Sequence, residues 1–254
     1  MAGVSLEVEG RTATLRLDRP PLNILDLTTL EELRDAVERV ASQEELQVLI
    51  VTGRGDRAFS AGVAVEDHTP DKITKMLELF HGALVAILEL EAVTIAAVDG
   101  HCLGGGLELA AACDLVVATE RSRFGQPEIK LGCYPPFAAA LYPERIGPGP
   151  TLDLLVTGRT VEAEEARRLG LVHRLAAAGE LESAVAELTD AILAHSGPVV
   201  RITKRAVRAG TGLRFPEALR ESERLYLEEL AQTADMREGI EAFLAKREPR
   251  WRHE

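Results

Sequence analysis

A triple glycine between an apolar run and a run of helix-forming residues constrains this chain more than any other feature. Residues 92–98 are apolar and rich in β-branched side chains, as expected of a buried strand. Gly104, Gly105 and Gly106 follow, and residues 107–112 favour a helix. Glycine permits a tight turn and a close approach to the backbone. We therefore predict a strand, a glycine turn and a helix in immediate succession.

The start of such a helix can stabilise an electron-rich oxygen. The first N–H groups of a helix have no partner within it and carry a partial positive charge. A carbonyl oxygen or an anion placed there is stabilised. Glu108 lies in the first turn of the predicted helix, so its carboxyl group comes close to the same place. Alone, this pattern is equally typical of a glycine turn with a glutamate that only compensates the helix dipole.

Two further segments add chemistry to this turn. Residues 115–119 predict another strand, and Glu128 follows it after a short turn. Residues 58–62 come after a predicted strand at 48–51 and form a second turn of small residues, whose backbone can supply another N–H donor. The sequence thus predicts one site at which two carboxyl groups and two backbone N–H donors lie close together.

These three segments resemble the pattern of the crotonase family, the enoyl-CoA hydratases and isomerases. That pattern contains A-F-x-A-G, which matches residues 58–62, and G-x-x-x-G-G-G-x-E-L, which matches residues 100–109. An F-x-x-P-E motif at residues 124–128 completes it, with Glu128 twenty positions after Glu108. The resemblance extends over nearly the whole chain and is specific, because three spaced motifs carry it.

The resemblance implies an α/β fold, a crotonase-like spiral of strand–strand–helix turns with a C-terminal helical oligomerisation region. Residues 1–196 are expected to form the spiral, acyl-CoA-binding core, and residues 197–254 the helical trimerisation region. Gly197-Pro198 is the plausible boundary, and the chain beyond Glu180 is predicted to be almost entirely helical. Family members are usually trimers or dimers of trimers, so we expect a homotrimer or a dimer of trimers.

Local patterns predict individual elements of that fold. Residues 4–8 and 12–17 alternate apolar and polar side chains and indicate a hairpin. Asp26 is a good N-cap for a helix, and Thr69-Pro70 predicts the start of another. A further helix is predicted to open at residues 160–163.

By resemblance, the backbone N–H groups of Ala61 and Gly105 form an oxyanion hole that holds the carbonyl oxygen of an acyl-CoA thioester. Glu108 is expected to hold and deprotonate a water molecule, and Glu128 to deliver a proton to Cα. Two carboxyl groups in different environments can share such acid–base work. The presence of both glutamates favours an enoyl-CoA hydratase or dehydratase, a hydro-lyase.

Several further residues are predicted to contact the acyl group or its CoA carrier. They are Ser60, Gly62, Val63, Tyr134, Pro136, Phe243 and Lys246. The last two match positions from which family members contact the CoA nucleotide, often from a neighbouring subunit. An ordinary amphipathic helix is an equally good interpretation of that segment.

The chain departs from the family pattern along one side of the predicted pocket. Ala64 stands where an aspartate is common, and Pro136 takes the place of a glycine. Proline has no N–H, so this position cannot help to hold the water. Residues 60–63 together with residues 134–136 look closest to a subgroup that hydrates cyclohexadiene-carbonyl-CoA. The rigid prolines and aromatic rings predict a short, branched or cyclic acyl group.

The charge balance and the cysteines argue against other classes of function. A net charge of −12 and a pI of about 5.1 do not suit nucleic-acid binding, so an RNA-binding role is not expected. No apolar run reaches the length of a membrane span, and no signal peptide is evident. Cys102, Cys113 and Cys133 lack metal-ligand spacing and indicate reduced thiols in a cytoplasmic protein. We expect no metal and no cofactor other than the CoA of the substrate.

Other interpretations remain open at this point. An isomerase or a decarboxylase of the same fold would use the same glycine turn. A nucleotide-binding domain would need G-x-G-x-x-G or a G-K-[ST] ending, and residues 104–106 have neither. His68 and His81 flank a helix near the predicted pocket. A place in the lining of the acyl pocket is open for both, but surface or packing roles are favoured.

Overall fold

The computed structural model describes residues 3–254, and that part of the chain contains ten strands and ten α-helices. The strands are β1 (Val4–Glu9), β2 (Thr12–Leu17), β3 (Val48–Gly53), β4 (Ala58–Ser60), β5 (Val93–Val98), β6 (His101–Leu103), β7 (Leu115–Thr119), β8 (Arg123–Gly125), β9 (Thr160–Glu162) and β10 (Arg174–Ala176). The helices are α1 (Leu27–Ala41), α2 (Ile73–Glu89), α3 (Gly105–Ala112), α4 (Pro136–Ile146), α5 (Pro148–Thr157), α6 (Ala163–Leu169), α7 (Leu181–Leu193), α8 (Gly197–Gly210), α9 (Phe215–Glu228) and α10 (Ala234–Leu244). Short 3₁₀ turns span Val65–Asp67, Pro127–Leu131 and Leu230–Gln232.

Two sheets organise these elements. The larger has the order β1-β2-β3-β5-β7-β10 and is parallel except for the β1–β2 hairpin. The smaller has the order β4-β6-β8-β9, and only β8 and β9 pair antiparallel among its described strands. In both sheets the spatial order of the strands is their order along the chain. Strands β3, β5 and β7 each lead into a strand of the smaller sheet and then into a helix, which confirms the predicted spiral of strand–strand–helix turns.

Apolar side chains on both faces of the larger sheet explain its position at the centre. One face packs in the main core, which includes Leu15 and Val51 of the sheet and Leu33 of α1. The other face packs Val48 and Ile95 against α7 in a smaller cluster. Parallel strands buried on both faces are expected to read as continuous apolar runs, as residues 92–98 do.

The hairpin and the cap of α1 are confirmed, whereas two predicted helices begin later in the chain than expected. The Asp26 carboxylate accepts the Thr29 N–H at 2.9 Å, as an N-cap does. Helix α2 begins at Ile73, because the Thr69 carbonyl accepts the N–H groups of Lys72 and Ile73 in a turn that precedes the helix. The helix predicted to open at residues 160–163 is present as α6, but it begins only at Ala163, because Thr160–Glu162 pair with β8 as an edge strand.

The region after Gly197 is helical, as predicted, and α8 begins at the predicted boundary. Helix α8 starts at Gly197 and ends at Gly210, and α10 follows the N-cap Thr233. An ion pair between Lys204 Nζ and Asp114 Oδ2, 2.7 Å apart, joins α8 to the segment after α3. Arg208 also pairs with Asp114, at 2.5 Å. The helical region is therefore confirmed, while its role in oligomerisation stays a prediction.

Candidate active site

The glycine turn connects β6 of the smaller sheet directly to α3. Gly104 has a φ of +54°, and a Cβ there would lie 2.8 Å from a carboxyl oxygen of Glu128. A Cβ on Gly106 would lie 2.4 Å from the carbonyl oxygen of Ser60. Only glycine therefore allows the turn, the Glu128 carboxyl group and the end of β4 to approach this closely.

The segment after β4 runs beside this turn and presents one unused backbone donor. Val63 and Gly105 have N–H groups with no acceptor among residues 3–254. The two residues are adjacent, since a Cβ on Gly105 would lie 2.8 Å from Cγ2 of Val63. Gly62 between Ala61 and Val63 has a φ of +103°, which turns the backbone at this point. Two free N–H groups thus lie side by side at the start of α3.

The prediction that Ala61 supplies an N–H to the oxyanion hole is wrong. Its N–H donates to the carbonyl oxygen of Leu22 at 2.9 Å and is not available to a ligand. The prediction that Ser60 contacts substrate is also wrong, because its side chain is fully buried. Its hydroxyl donates to the Asn23 carbonyl at 2.8 Å and accepts the Gly62 N–H at 3.1 Å.

The two predicted acid–base residues come from different elements and line the same cavity. Glu108, in the first turn of α3, is almost fully buried, and its Oε1 accepts the Ala138 N–H at 2.8 Å. Glu128 lies in the 3₁₀ turn after β8 and is half-buried. Burial raises the pKa of Glu108 to about 8, and the nearby Glu128 carboxylate adds to this increase. Burial raises the pKa of Glu128 to about 7.

These raised pKa values mean that the pair holds about one proton near neutral pH. Because the groups interact, the proton belongs to the pair and not to one carboxyl group alone. A pair with one proton contains one acid and one base at the same time. The arrangement can therefore accept a proton at one point of a substrate and donate one at another.

Pro136 begins the helix whose N-terminus contacts Glu108. It is the first residue of α4, where a backbone N–H has no partner within the helix and proline is favoured. The N–H groups of Phe137 and Ala138, which follow it, interact with the Glu108 carboxyl group. Helix α4 thus fixes the predicted base from its N-terminus.

One cavity of about 500 Å³ connects these groups. It brings together the predicted residues Ala61, Gly62, Val63, Gly105, Glu108, Glu128, Tyr134 and Pro136. It does not contain Ser60, and it does not contain Phe243 or Lys246, which lie at and beyond the end of α10. Phe243 is 83% exposed in this single chain.

Helix α2 forms a cavity wall that the sequence indicates only in part. Met76 and Phe80 line it, as expected of core or pocket residues. His68 and His81 also line it, although surface or packing roles were favoured for both. The His81 ring lies near those of Phe80 and Phe137, with centroids 6.0 and 6.2 Å away. The apolar period of α2 shows which face is buried, but not that this face meets a cavity.

Neither a group of metal-ligating side chains nor a bilayer-spanning helix occurs among residues 3–254. Within residues 3–254, no three His, Cys, Asp or Glu side chains are grouped so that they could hold a metal ion. Among the helices of the same residues, none combines the length and apolar character that a bilayer-spanning segment needs.

Comparison with known proteins identifies the family. Residues 7–254 match the family described as enoyl-CoA hydratase/isomerase. This chain belongs to the enoyl-CoA hydratase/isomerase family. Family membership confirms the crotonase-type resemblance and the prediction of an enoyl-CoA hydratase-type enzyme.

Individual relatives of this enoyl-CoA hydratase family member cover almost its full length. The cyclohexa-1,5-dienecarbonyl-CoA hydratase of Thauera aromatica is 38% identical, over 98% of this chain and 95% of that protein. The crotonyl-CoA hydratase of Syntrophomonas wolfei is 36% identical, over 96% and 95%. The crystal structure of an enoyl-CoA hydratase from Bacillus anthracis superposes with a TM-score of 0.94 at 29% identity, over 99% of this chain and all of that one.

Proposed function

We propose that this protein adds water to the C=C bond of a 2-enoyl-CoA thioester, or removes water in the reverse direction. The observation that carries the proposal is the cavity in which two free backbone N–H groups lie beside two carboxyl groups that share about one proton. Charge builds up on the thioester oxygen when water adds to Cβ, and preorganised donors stabilise that charge. Relatives named as hydratases support the same reaction.

Each group has a defined part in the hydration. The Val63 and Gly105 N–H groups bind the thioester oxygen and stabilise the enolate. The reacting form of the pair is the one in which the shared proton is on Glu128, so that Glu108 is ionised. The Glu108 carboxylate takes a proton from water, and the water oxygen bonds to Cβ while the C=C π electrons shift towards the thioester. The Glu128 carboxyl group then gives its proton to Cα. One water is consumed, and the carboxyl pair ends with as many protons as it had at the start.

The cavity favours a compact acyl group. Its volume is about 500 Å³, and its lining includes Tyr134, Pro135 and Pro136 as well as Phe80 and His81 of α2. Proline rings and aromatic side chains give rigid walls. We propose a short, branched or cyclic acyl group, which agrees with the Thauera aromatica relative being named a cyclic dienoyl-CoA hydratase.

The assembly is also part of the proposal. Phe243 and Leu244 of α10 are 83% and 76% exposed in the single chain, and Lys246 follows them. We propose that this segment contacts the CoA group bound in a neighbouring copy of a homotrimer or a dimer of trimers. Light scattering should give the mass of three or six chains, and Phe243→Ala should raise KM more than it lowers kcat.

Substitution of the two glutamates tests the reaction. Glu108→Gln and Glu128→Gln should fold and should each lose about 100- to 10,000-fold in kcat on the best enoyl-CoA of a panel. Glu120→Gln, an exposed glutamate outside the cavity, is the matched control. Near-native turnover by either cavity variant would remove that glutamate from the mechanism.

Product analysis separates the proposal from the isomerase and decarboxylase alternatives. Hydration adds the mass of one water to the thioester, isomerisation leaves the mass unchanged, and decarboxylation lowers it by one CO₂. Because water addition by this pair needs no redox group or Lewis acid, activity should survive dialysis against EDTA. A loss that added metal restores would contradict this mechanism.

A further inference from the structure

Two polar side chains lie behind Glu128, on the side away from the cavity. Gln126 precedes the 3₁₀ turn that carries Glu128, and Tyr142 lies on the buried face of α4. Both side chains are fully buried, and neither lines the cavity. Their polar groups contact each other, with 2.7 Å between the Tyr142 hydroxyl and the Gln126 amide.

The surroundings of the Gln126 amide decide which of its ends faces Glu128. If the nitrogen faces Tyr142, the oxygen faces only acceptors, namely the Gly104 carbonyl and the Glu128 carboxylate. In the opposite orientation, Nε2 donates to the Gly104 carbonyl at 3.2 Å and to the two Glu128 oxygens at 3.1 and 3.2 Å. Oε1 then accepts the Tyr142 hydroxyl proton at 2.7 Å. In this orientation both ends of the Gln126 amide and the Tyr142 hydroxyl have hydrogen-bond partners, as buried polar groups generally require.

We propose that Tyr142 is a positioning residue whose hydroxyl fixes the Gln126 amide so that the amide N–H holds the Glu128 carboxylate. The proposal rests on the proposed function only in the role given to Glu128. Two features determine that the Tyr142 hydroxyl donates to the Gln126 oxygen and that the Gln126 N–H groups face Glu128. The phenol stays protonated because burial raises the pKa of Tyr142 well above its ordinary value. The Gly104 carbonyl excludes the reversed amide, since two facing acceptors repel each other.

This contact opposes the effect of burial on Glu128. An N–H donated to a carboxylate favours its ionised form, whereas desolvation favours the protonated form. Loss of the donor should therefore raise the pKa of Glu128. Other groups that face this network are Glu108 on α3, Cys102 on β6, Cys133 after the 3₁₀ turn and His81 on α2. All four remain in place in the variants below.

Carbon-13 NMR titration of the glutamate carboxyl groups tests the proposal without an activity assay. Glu128→Gln assigns the Glu128 signal. Tyr142→Phe should raise the pKa of Glu128 by about 1 pH unit, because a hydrogen bond to a charged group is lost or weakened. The matched control Tyr226→Phe removes a half-exposed hydroxyl on α9 and should leave that pKa unchanged.

A double variant tests whether Tyr142 acts through Gln126. Gln126→Leu should raise the Glu128 pKa, and adding Tyr142→Phe should produce no further increase. An unchanged pKa in Tyr142→Phe, or effects that add in the double variant, would overturn the proposal. If Tyr142→Phe does not fold, NMR titration of the unmodified protein still tests the proposal. The Gln126 side-chain amide protons should then titrate with the pKa of Glu128, and their failure to do so would overturn it.

Kinetics separates this proposal from the proposed function. In the hydration direction Glu128 must be protonated, so the basic limb of kcat/KM against pH should move to higher pH in Tyr142→Phe. We expect kcat to fall about 10-fold with little change in KM, since the carboxyl group is less well held. An unmodified enzyme without hydratase activity contradicts the proposed function, yet the NMR titration still tests the Tyr142 contact.

Discussion

At the scale of a single residue, burial of the Glu108 carboxyl group lowers the stability of the folded protein at the pH values where this group is ionised. The Glu108 side chain is 4% exposed, and burial raises the pKa of Glu108 to about 8 from an ordinary value of 4.5. The folded protein therefore retains a proton that the unfolded chain releases between these two pH values. The free energy of unfolding falls as pH rises through this window and is constant above it, so the carboxyl group makes the fold least stable where it is ionised.

Glu108→Gln should consequently stabilise the protein in a pH-dependent way. Glutamine keeps an oxygen that can accept the Ala138 N–H but carries no charge to bury. We expect a gain of up to about 4 kcal/mol in unfolding free energy at pH 8.5 and little gain at pH 4.5. Denaturant unfolding of both proteins at the two pH values measures this. An equal difference at both would show that Glu108 is not protonated by burial.

Gly105 gives a second prediction at the same scale. A Cβ at this position would lie 2.8 Å from Val63 Cγ2 and 3.0 Å from Phe80 Cζ, so it would displace Val63 and with it one of the two proposed N–H donors. Gly105→Ala should lower kcat/KM about 100-fold, as the loss of one oxyanion donor does. Val63→Ala should restore part of this loss by removing Cγ2. Gly149→Ala, which meets nothing within 4 Å, should be neutral.

At the scale of elements, the segment from Tyr134 to Pro136 and the facing side of α2 set the size of the acyl group. A misfit of one methylene in an apolar pocket is worth about 1–3 kcal/mol. We predict that kcat/KM falls once a linear enoyl chain exceeds about six carbons, by roughly 10-fold for each further methylene. A compact cyclic thioester should compete well with crotonyl-CoA. Rising efficiency towards long linear chains would show that this wall does not select.

Pro136→Gly should relax that preference. Pro136 also starts the helix whose Ala138 N–H holds Glu108, so the absolute rate is expected to change for every substrate. The informative quantity is the ratio of kcat/KM for a long and a short chain. That ratio should increase in the variant, and an unchanged ratio would exclude Pro136 as a selecting residue.

Local motifs of the candidate site could be predicted from the sequence, whereas contacts between distant segments could not. The glycine turn and both glutamates follow from local spacing, because the strand and helix that hold them are consecutive in the chain. The Ala61 error has a tertiary cause, since its N–H is taken by Leu22, 39 positions earlier. Gly62 was the available signal, because a glycine that turns the backbone redirects the following N–H. The contact between Tyr142 and Gln126 could not be predicted from the sequence, because it depends on how α4 packs in the tertiary structure.

At the scale of the whole molecule, α8 binds the C-terminal helices to the core through charge as well as apolar contact. The Asp114 carboxylate accepts hydrogen bonds from the Thr94 N–H and hydroxyl at 2.8 and 2.9 Å, in addition to its pairs with Lys204 and Arg208. These partners hold the pKa of Asp114 below its ordinary value despite burial. A buried carboxylate that loses both cations is costly.

Removal of residues 198–254 should therefore leave a core that does not stay in solution. Truncation deletes both cations that face Asp114 and removes the α8 side of the mostly apolar cavity that α8 lines together with Val93 and Leu115, so that these side chains become more exposed. We expect loss of the assembly and aggregation, measured by light scattering. Lys204→Met, which retains the helices, should be destabilised but soluble. An active monomer of residues 1–197 would contradict the predicted role of this region.

The coincidence of spatial and chain order in the larger sheet has a consequence for synthesis on the ribosome. Apart from the first hairpin, every strand of that sheet is added to an edge made by residues that have already left the exit tunnel. No strand must be inserted between two that are already paired, so the nascent chain can lengthen its sheet one strand at a time. Strand β10, which pairs with β7 over three residues, closes this growth. Glu108 and Glu128 both precede β10 in the chain, so the segments that carry the carboxyl pair can join the fold before the last helices are made.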